Sequence, residues 1–133
     1  MVDFRADSAH IAGTIPGTLY SLGQLSHLDM SDLALTGTLS THIGDLVSLV
    51  DLRIQRNKLS GTIPNEIANL HNLKLAWFHL NMFEGSVPLE ICMNCKDKLQ
   101  FLQADCDPIT APANECECCT ACCDCDTEIC VLV

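Results

Sequence analysis

All ten cysteines lie between Cys92 and Cys130. Thiols at such density either pair as disulfides or collect around a soft cation. The count is even, so Cys92, Cys95, Cys106, Cys116, Cys118, Cys119, Cys122, Cys123, Cys125 and Cys130 can all pair, as expected in an oxidising compartment. Sequence does not give the connectivity. Cys92-x-x-Cys95, Cys119-x-x-Cys122 and Cys122-x-x-Cys125 also have the spacing of zinc ligands. Short spacings arise readily in a dense cluster, however, and Glu115, Glu117, Asp124 and Asp126 raise the cost of gathering thiolates there. Disulfides are therefore expected, with no metal and no cofactor. The terminal Cys130-Val131-Leu132-Val133 fits a prenylation pattern poorly, because Val is not a usual final residue and the preceding segment is acidic.

Nucleophilic chemistry has less support. His27, Ser31 and Asp51 can be drawn as a Ser/His/Asp set, but nothing supplies an oxyanion hole or a pocket. No phosphate-binding loop, dinucleotide fingerprint, H-E-x-x-H pair or kinase signature occurs. The chain is expected not to be an enzyme.

The element that must position all of these residues is a repeat. Gly13, Gly37, Gly61 and Gly85 are spaced by 24 residues. Each opens one phrase: Gly13-Thr14-Ile15-Pro16, Gly37-Thr38-Leu39-Ser40, Gly61-Thr62-Ile63-Pro64 and Gly85-Ser86-Val87-Pro88. The other columns keep step. They are Phe4, Leu28, Leu52, Ala76; then Ala6, Met30, Ile54, Phe78; then Ile11, Leu35, Leu59, Phe83; then Leu19, Ile43, Ile67, Ile91. Leu22, Leu46 and Leu70 close each coil, and Leu25, Leu49 and Leu73 open the next. Each unit predicts a short strand, a turn and a short 3-10 or helical return. One coil cannot bury its apolar edge alone, so the coils must stack. Leu99, Leu102 and Ala104 start a fifth strand two residues late, which places a small insertion between Met93 and Lys98. Pro108, Pro112 and small residues make the segment after Asp105 loop-like.

The unit spanning Leu46 to Pro64, L-x-x-L-x-x-L-x-L-x-x-N-x-L-x-G-x-I-P, resembles the plant-type, extracellular leucine-rich repeat of receptor-like kinases and polygalacturonase-inhibiting proteins. The segment Ala104-Asp105-Cys106 with Cys116-x-Cys118-Cys119-Thr120-x-Cys122-Cys123 resembles the terminal cap of leucine-rich-repeat proteins of diatoms and related algae. The resemblance implies an α/β repeat solenoid: a right-handed leucine-rich-repeat arc, a parallel β-sheet on the concave side, short 3-10 returns and a Cys-rich loop cap. Residues 1–105 would form the solenoid and 106–133 the cap. In this family an Asn turns inward to satisfy backbone groups of the neighbouring turn. Here that column reads Ala9, Leu33, Asn57 and Asn81, so backbone groups at the first two positions need another partner. Ser40 also stands where the phrase has Pro.

The resemblance further implies that concave-face residues bind a protein, peptide or glycan. Outward columns would be Arg5, Asp29, Arg53, Trp77, Gln103; Asp7, Ser31, Gln55, His79, Asp105; and Asp3, His27, Asp51, Leu75, Phe101. Trp77 is the single Trp. Flanked by Leu75, His79 and Arg53, it is either a binding hot spot or a ring packed flat on its neighbours. The expected contact residues are Arg53, Trp77, His79, Asp29 and Gln55. Arg5, Arg53, Asp29 and Asp51 would form cross-strand ion pairs of little energetic worth.

Composition limits the remaining classes. The net charge of -10 leaves no basic surface for phosphates or anionic lipid. No apolar run is long enough to span a membrane. MVDFRADSAH lacks the apolar core of a signal peptide, and no N-x-S/T acceptor occurs. Phe4, Ile11 and Ile15 would form a raw outer face, so the chain reads as the C-terminal part of a longer, secreted or cell-surface array whose parent carries any anchor. The other role is a structural or matrix component, or a metal-binding tail, without a specific ligand.

Overall fold

The computed structural model describes residues 1–6, 11–88, 90–91, 99–105, 121–123 and 130–132. In chain order the elements are β1 (Val2–Arg5), β2 (Gly13–Thr14), the 3-10 turn η1 (Gly17–Ser21), β3 (Leu25–Asp29), β4 (Leu35–Thr36), η2 (Thr41–Asp45), β5 (Asp51–Arg53), β6 (Ser60–Gly61), η3 (Asn65–Asn69), β7 (Leu75–Trp77), β8 (Met82–Phe83), β9 (Phe101–Asp105), β10 (Ala121–Cys123) and β11 (Cys130–Leu132). One sheet runs β1-β3-β5-β7-β9-β10-β11, and two small sheets, β2-β4 and β6-β8, follow the Gly-containing phrase.

The main sheet is parallel from β1 to β10, and adjacent strands from β1 to β7 are one repeat apart. Leu28 lies opposite Leu52, Leu52 opposite Ala76, and Ala76 opposite Leu102. The last pairing accommodates the two-residue delay expected for the fifth strand. The aliphatic columns point inward, and Leu46, Leu49, Leu52, Ile54 and Leu59 are fully buried. The fold is a leucine-rich-repeat arc, as the periodicity implied.

Two expectations are corrected at the ends of the arc. Phe4 and Ile11 are exposed, as a raw outer face implies, but Ile15, expected beside them, is buried, and Leu22, assigned to a core column, is exposed at 44%. Among the described residues no coil lies outside the first. The acidic tail is not all loop. Positions 121–123 pair in parallel with β9, and 130–132 return antiparallel, so the sheet has seven strands rather than five.

Backbone accounting explains the repeat phrase. Asn57 Oδ1 accepts from the N–H groups of Leu33 (3.1 Å) and Leu35 (2.9 Å), and its Nδ2 donates to the carbonyls of Met30 (2.8 Å) and Ile54 (3.0 Å). Asn81 repeats this one coil later, accepting from Leu59 N–H and donating to Ile54 and Phe78. The ladder Asn therefore serves the coil before its own. Asn57 is thus the other partner that the sequence reading required for the backbone groups around Leu33.

The final turn uses a different device. In earlier turns Asp32 N–H and Arg56 N–H donate to the carbonyls of Gln55 and His79 in the next coil. At the last turn the Asp105 carboxylate replaces that backbone, accepting from Leu80 N–H (2.6 Å) and Asn81 N–H (3.1 Å). Asp105, expected to face a ligand, instead closes the ladder. The phrase glycine is required at Gly37 for two reasons. Its φ is +83°, and a Cβ there would sit 2.9 Å from Thr14 Cγ2.

Candidate ligand-binding face

Strand register places Asp3, His27, Asp51, Leu75 and Phe101 in one outward row, and Arg5, Asp29, Arg53, Trp77 and Gln103 in another. Neighbouring strands are about 4.8 Å apart, so each row is a ladder of adjacent side chains. The rows divide the face in two. Over β1, β3 and β5 it is charged, with a depression of about 170 Å³ whose polar lining is Asp3, Arg5, His27, Asp29, Asp51 and Arg53. Over β7 and β9 it is apolar, carrying Leu75, Trp77 and the half-exposed Phe101.

Arg53 and Trp77 form the seam. The Arg53 Cζ stands 4.9 Å from the indole centroid. Its Nε and Nη2 donate to Asp51 Oδ1 (3.0 Å) and Oδ2 (2.9 Å). A forked pair orients the guanidinium plane as well as neutralising it, and the hydrogen bond to Asp51 raises the already high Arg53 pKa. The expected cross-strand pairing thus holds for Arg5 with Asp29, at 3.8 Å. Arg53 pairs instead with Asp51, two residues earlier on its own strand, where alternation puts both side chains on one face. Asp29 is further occupied by Ser31, whose N–H and Oγ–H donate to Oδ1 at 3.1 and 2.7 Å.

Gln55 and His79, expected to point outward, are buried, each 8% exposed. They follow the strands, where the chain turns inward through Arg56 and Leu80 at φ of 58° and 57°. The His79 ring meets Trp77 edge-on, with centroids 6.2 Å apart. Burial lowers the His79 pKa, partly opposed by the Asp105 charge, and this favours neutral imidazole. Gln55 Oε1, Trp77 Nε1 and His79 Nδ1 are buried with no hydrogen-bond partner among the described residues. A buried polar atom left unpaired costs roughly 1–3 kcal/mol. That three such atoms gather on adjacent coils beside the Arg53 stack marks this part of the face.

The hypothetical Ser/His/Asp set is not assembled. Ser31 bonds Asp29, and Asp51 holds Arg53. His27 has its own serine and carboxylate neighbours, but Ser26 Oγ (3.1 Å) and Asp3 Oδ1 (2.9 Å) both meet Nδ1. A proton relay needs them on opposite ring nitrogens.

Cys92, Cys95, Cys106, Cys116, Cys118, Cys119 and Cys125 lie outside the described residues, and Cys122, Cys123 and Cys130 fall on β10 and β11. Among the described residues no group of three His, Cys, Asp or Glu is placed to hold a metal. Sequence reasoning omitted Asp51, Leu75 and Phe101 from the contact set. Their signal was present, since all three lie in one column of the repeat.

Residues 48–70 match the model of the Leucine Rich Repeat family. No curated protein matches the chain. Among solved structures, the chain resembles the leucine-rich-repeat ectodomain of the plant membrane receptor kinase GASSHO1/SCHENGEN3 from Arabidopsis thaliana, in complex with CASPARIAN STRIP INTEGRITY FACTOR 2. Identity is 32% and the TM-score 0.68, over 72% of this chain and 11% of that one. It also resembles the plant peptide hormone receptor RGFR1 in complex with RGF2, at 30% identity and TM-score 0.69, over 77% of this chain and 17% of the receptor. The BIR2 ectodomain from Arabidopsis thaliana shares the fold at 21% identity and TM-score 0.66, over 86% of this chain and 64% of that one. The chain thus spans less than a fifth of the length of the first two ectodomains. Its coils resemble the leucine-rich repeats of these plant receptor ectodomains.

Proposed function

We propose that this leucine-rich-repeat arc is a non-enzymatic recognition module that binds a peptide or protein segment across its concave face. The observation that carries the reading is the Arg53–Trp77 seam, which joins the charged half of the concave face to its apolar half. Leu75 and Phe101 add an apolar surface for a side chain, and Asp51 and Arg53 a polar one. Solved ectodomains of similar fold have been crystallised with peptide hormones, which supports the same use here. By the same analogy the module works outside the cell, as part of a larger secreted or membrane-anchored protein.

The test is selection of displayed peptides on the immobilised chain, followed by affinity measurements with the enriched sequences. A Trp hot spot is worth 2 kcal/mol or more, so Trp77→Ala is expected to weaken binding at least about 30-fold. Arg53→Ala is expected to weaken it less. Enriched peptides that bind both variants like the parent chain rule the reading out.

A further inference from the structure

Arg53 has donors left over after its ion pair. A guanidinium carries five N–H groups in one plane. The fork to Asp51 uses Nε–H and one N–H of Nη2, and Arg53 makes no other hydrogen bond among the described residues. Both N–H groups of Nη1 and the second of Nη2 therefore stand along the remaining edges of the plane. The side chain is 36% exposed, so these donors are within reach from outside. The plane is fixed along one edge by Asp51, itself only 17% exposed, and on one face by Trp77. A donor edge held in this way binds an acceptor without first having to be ordered.

Charge decides which acceptor it suits. Asp29 lies opposite Arg53 in the sheet, and Arg5 stands 3.8 Å from Asp29. Arg5 and Arg53 are thus matched one for one by Asp29 and Asp51. Asp3 adds a further carboxylate, which meets His27. This half of the face holds no arginine without a carboxylate. A ligand carboxylate at Arg53 would enter beside Asp51 and Asp29 with no unmatched cation to offset its desolvation. A carbonyl oxygen accepts the same N–H groups and brings no charge.

We propose that Asp51 sets the specificity of the seam: Arg53 takes an uncharged carbonyl from within a peptide, and Asp51 turns away a free C-terminal carboxylate. The inference rests on the recognition role proposed above and names the part of a peptide that meets the seam. Asp51 acts through Arg53 and is a positioning residue.

The experiment is an array of short peptides that presents each sequence twice, once ending in an amide and once in a free carboxylate. It is probed with the full 133-residue chain and its variants. Sequences whose binding falls in Trp77→Ala report the seam. For these, the parent chain is expected to bind the amide form at least as tightly as the acid. Asp51→Asn leaves the Arg53 charge unmatched and is expected to shift the ratio of affinities toward the acid at least about tenfold. Asp51→Glu keeps the charge and is expected to keep the parent ratio. Lost packing alone would weaken both forms together and leave the ratio unmoved. Circular dichroism melts verify folding. Asp29→Asn leaves the fork in place and is expected to shift the ratio the same way, which keeps the test open should Asp51→Asn not fold. A parent chain that prefers the acid overturns the proposal, and so does a ratio that neither neutralised aspartate moves. An array in which no binder depends on Trp77 overturns the recognition reading itself, and this inference with it.

Discussion

Single side chains decide how this repeat tolerates its own irregularities. Ser40 stands where the phrase has Pro, which exposes an N–H that Pro would not have. Tyr20 Oη accepts it at 3.4 Å, and Ser40 Oγ accepts in turn from His42 N–H at 3.2 Å. Tyr20 is buried, which raises its phenol pKa and leaves the hydroxyl un-ionised. Tyr20→Phe is expected to cost about 1 kcal/mol, through the orphaned N–H. Ser40→Pro is compatible with the φ of -69° at that position. It costs the cap to His42, but it removes the donor that Tyr20 serves. In a double-mutant cycle by urea unfolding, Tyr20→Phe should therefore be nearly neutral once Ser40 is Pro. Strict additivity would show that the Tyr20 hydroxyl does not serve Ser40.

At the scale of elements, the returns on the convex side pack more tightly than their sequence suggests. A Cβ on Gly44 in η2 would lie 2.7 Å from Glu66 O and 2.9 Å from Glu66 Cβ in η3. The first is a backbone atom, so the two turns must move apart. Gly44→Ala is expected to destabilise by about 1–3 kcal/mol. At Gly23 the nearest atom to an added Cβ is Asp45 O at 3.9 Å. Gly23→Ala is expected to be neutral or slightly stabilising, because it restricts the unfolded chain. Equal urea midpoints for the two variants would contradict the packing account. Period alone could not find this difference, since position 44 matches Tyr20 and Ala68 in its column, and only the fold brings Glu66 against it.

At the scale of the whole molecule, each coil is stabilised by its neighbours, and the ends are special. At one end the Asp105 carboxylate takes up the N–H groups of Leu80 and Asn81. No helix among the described residues is long and apolar enough to cross a membrane. Global stability also carries a pH signature from His79. Burial holds the folded His79 pKa below the ordinary value of 6.5. Between those two values the unfolded chain binds a proton that the folded chain does not, so stability falls as pH drops through 6.5 and levels off below the folded value. Tm should thus fall from pH 7.5 to 5.5 by more in the parent chain than in His79→Gln. Equal falls would mean that His79 is not held neutral by the fold.

The 24-residue spacing determined β1, β3, β5 and β7, their register and the inward Leu and Ile columns, and the fifth strand followed it two residues late. Period and alternation are properties of the chain itself, and stacked coils convert them directly into position. Tertiary structure decided what happens where the chain leaves the strands. Gln55 and His79 keep the period of an outward column, yet the positive-φ turns after β5 and β7 carry them into the interior. Arg53 had two carboxylates within reach, Asp29 across the sheet and Asp51 along its own strand, and its place over Trp77 selects Asp51. Asp105 sits in an outward column by count, yet only in three dimensions do the N–H groups of Leu80 and Asn81 come within reach of its carboxylate.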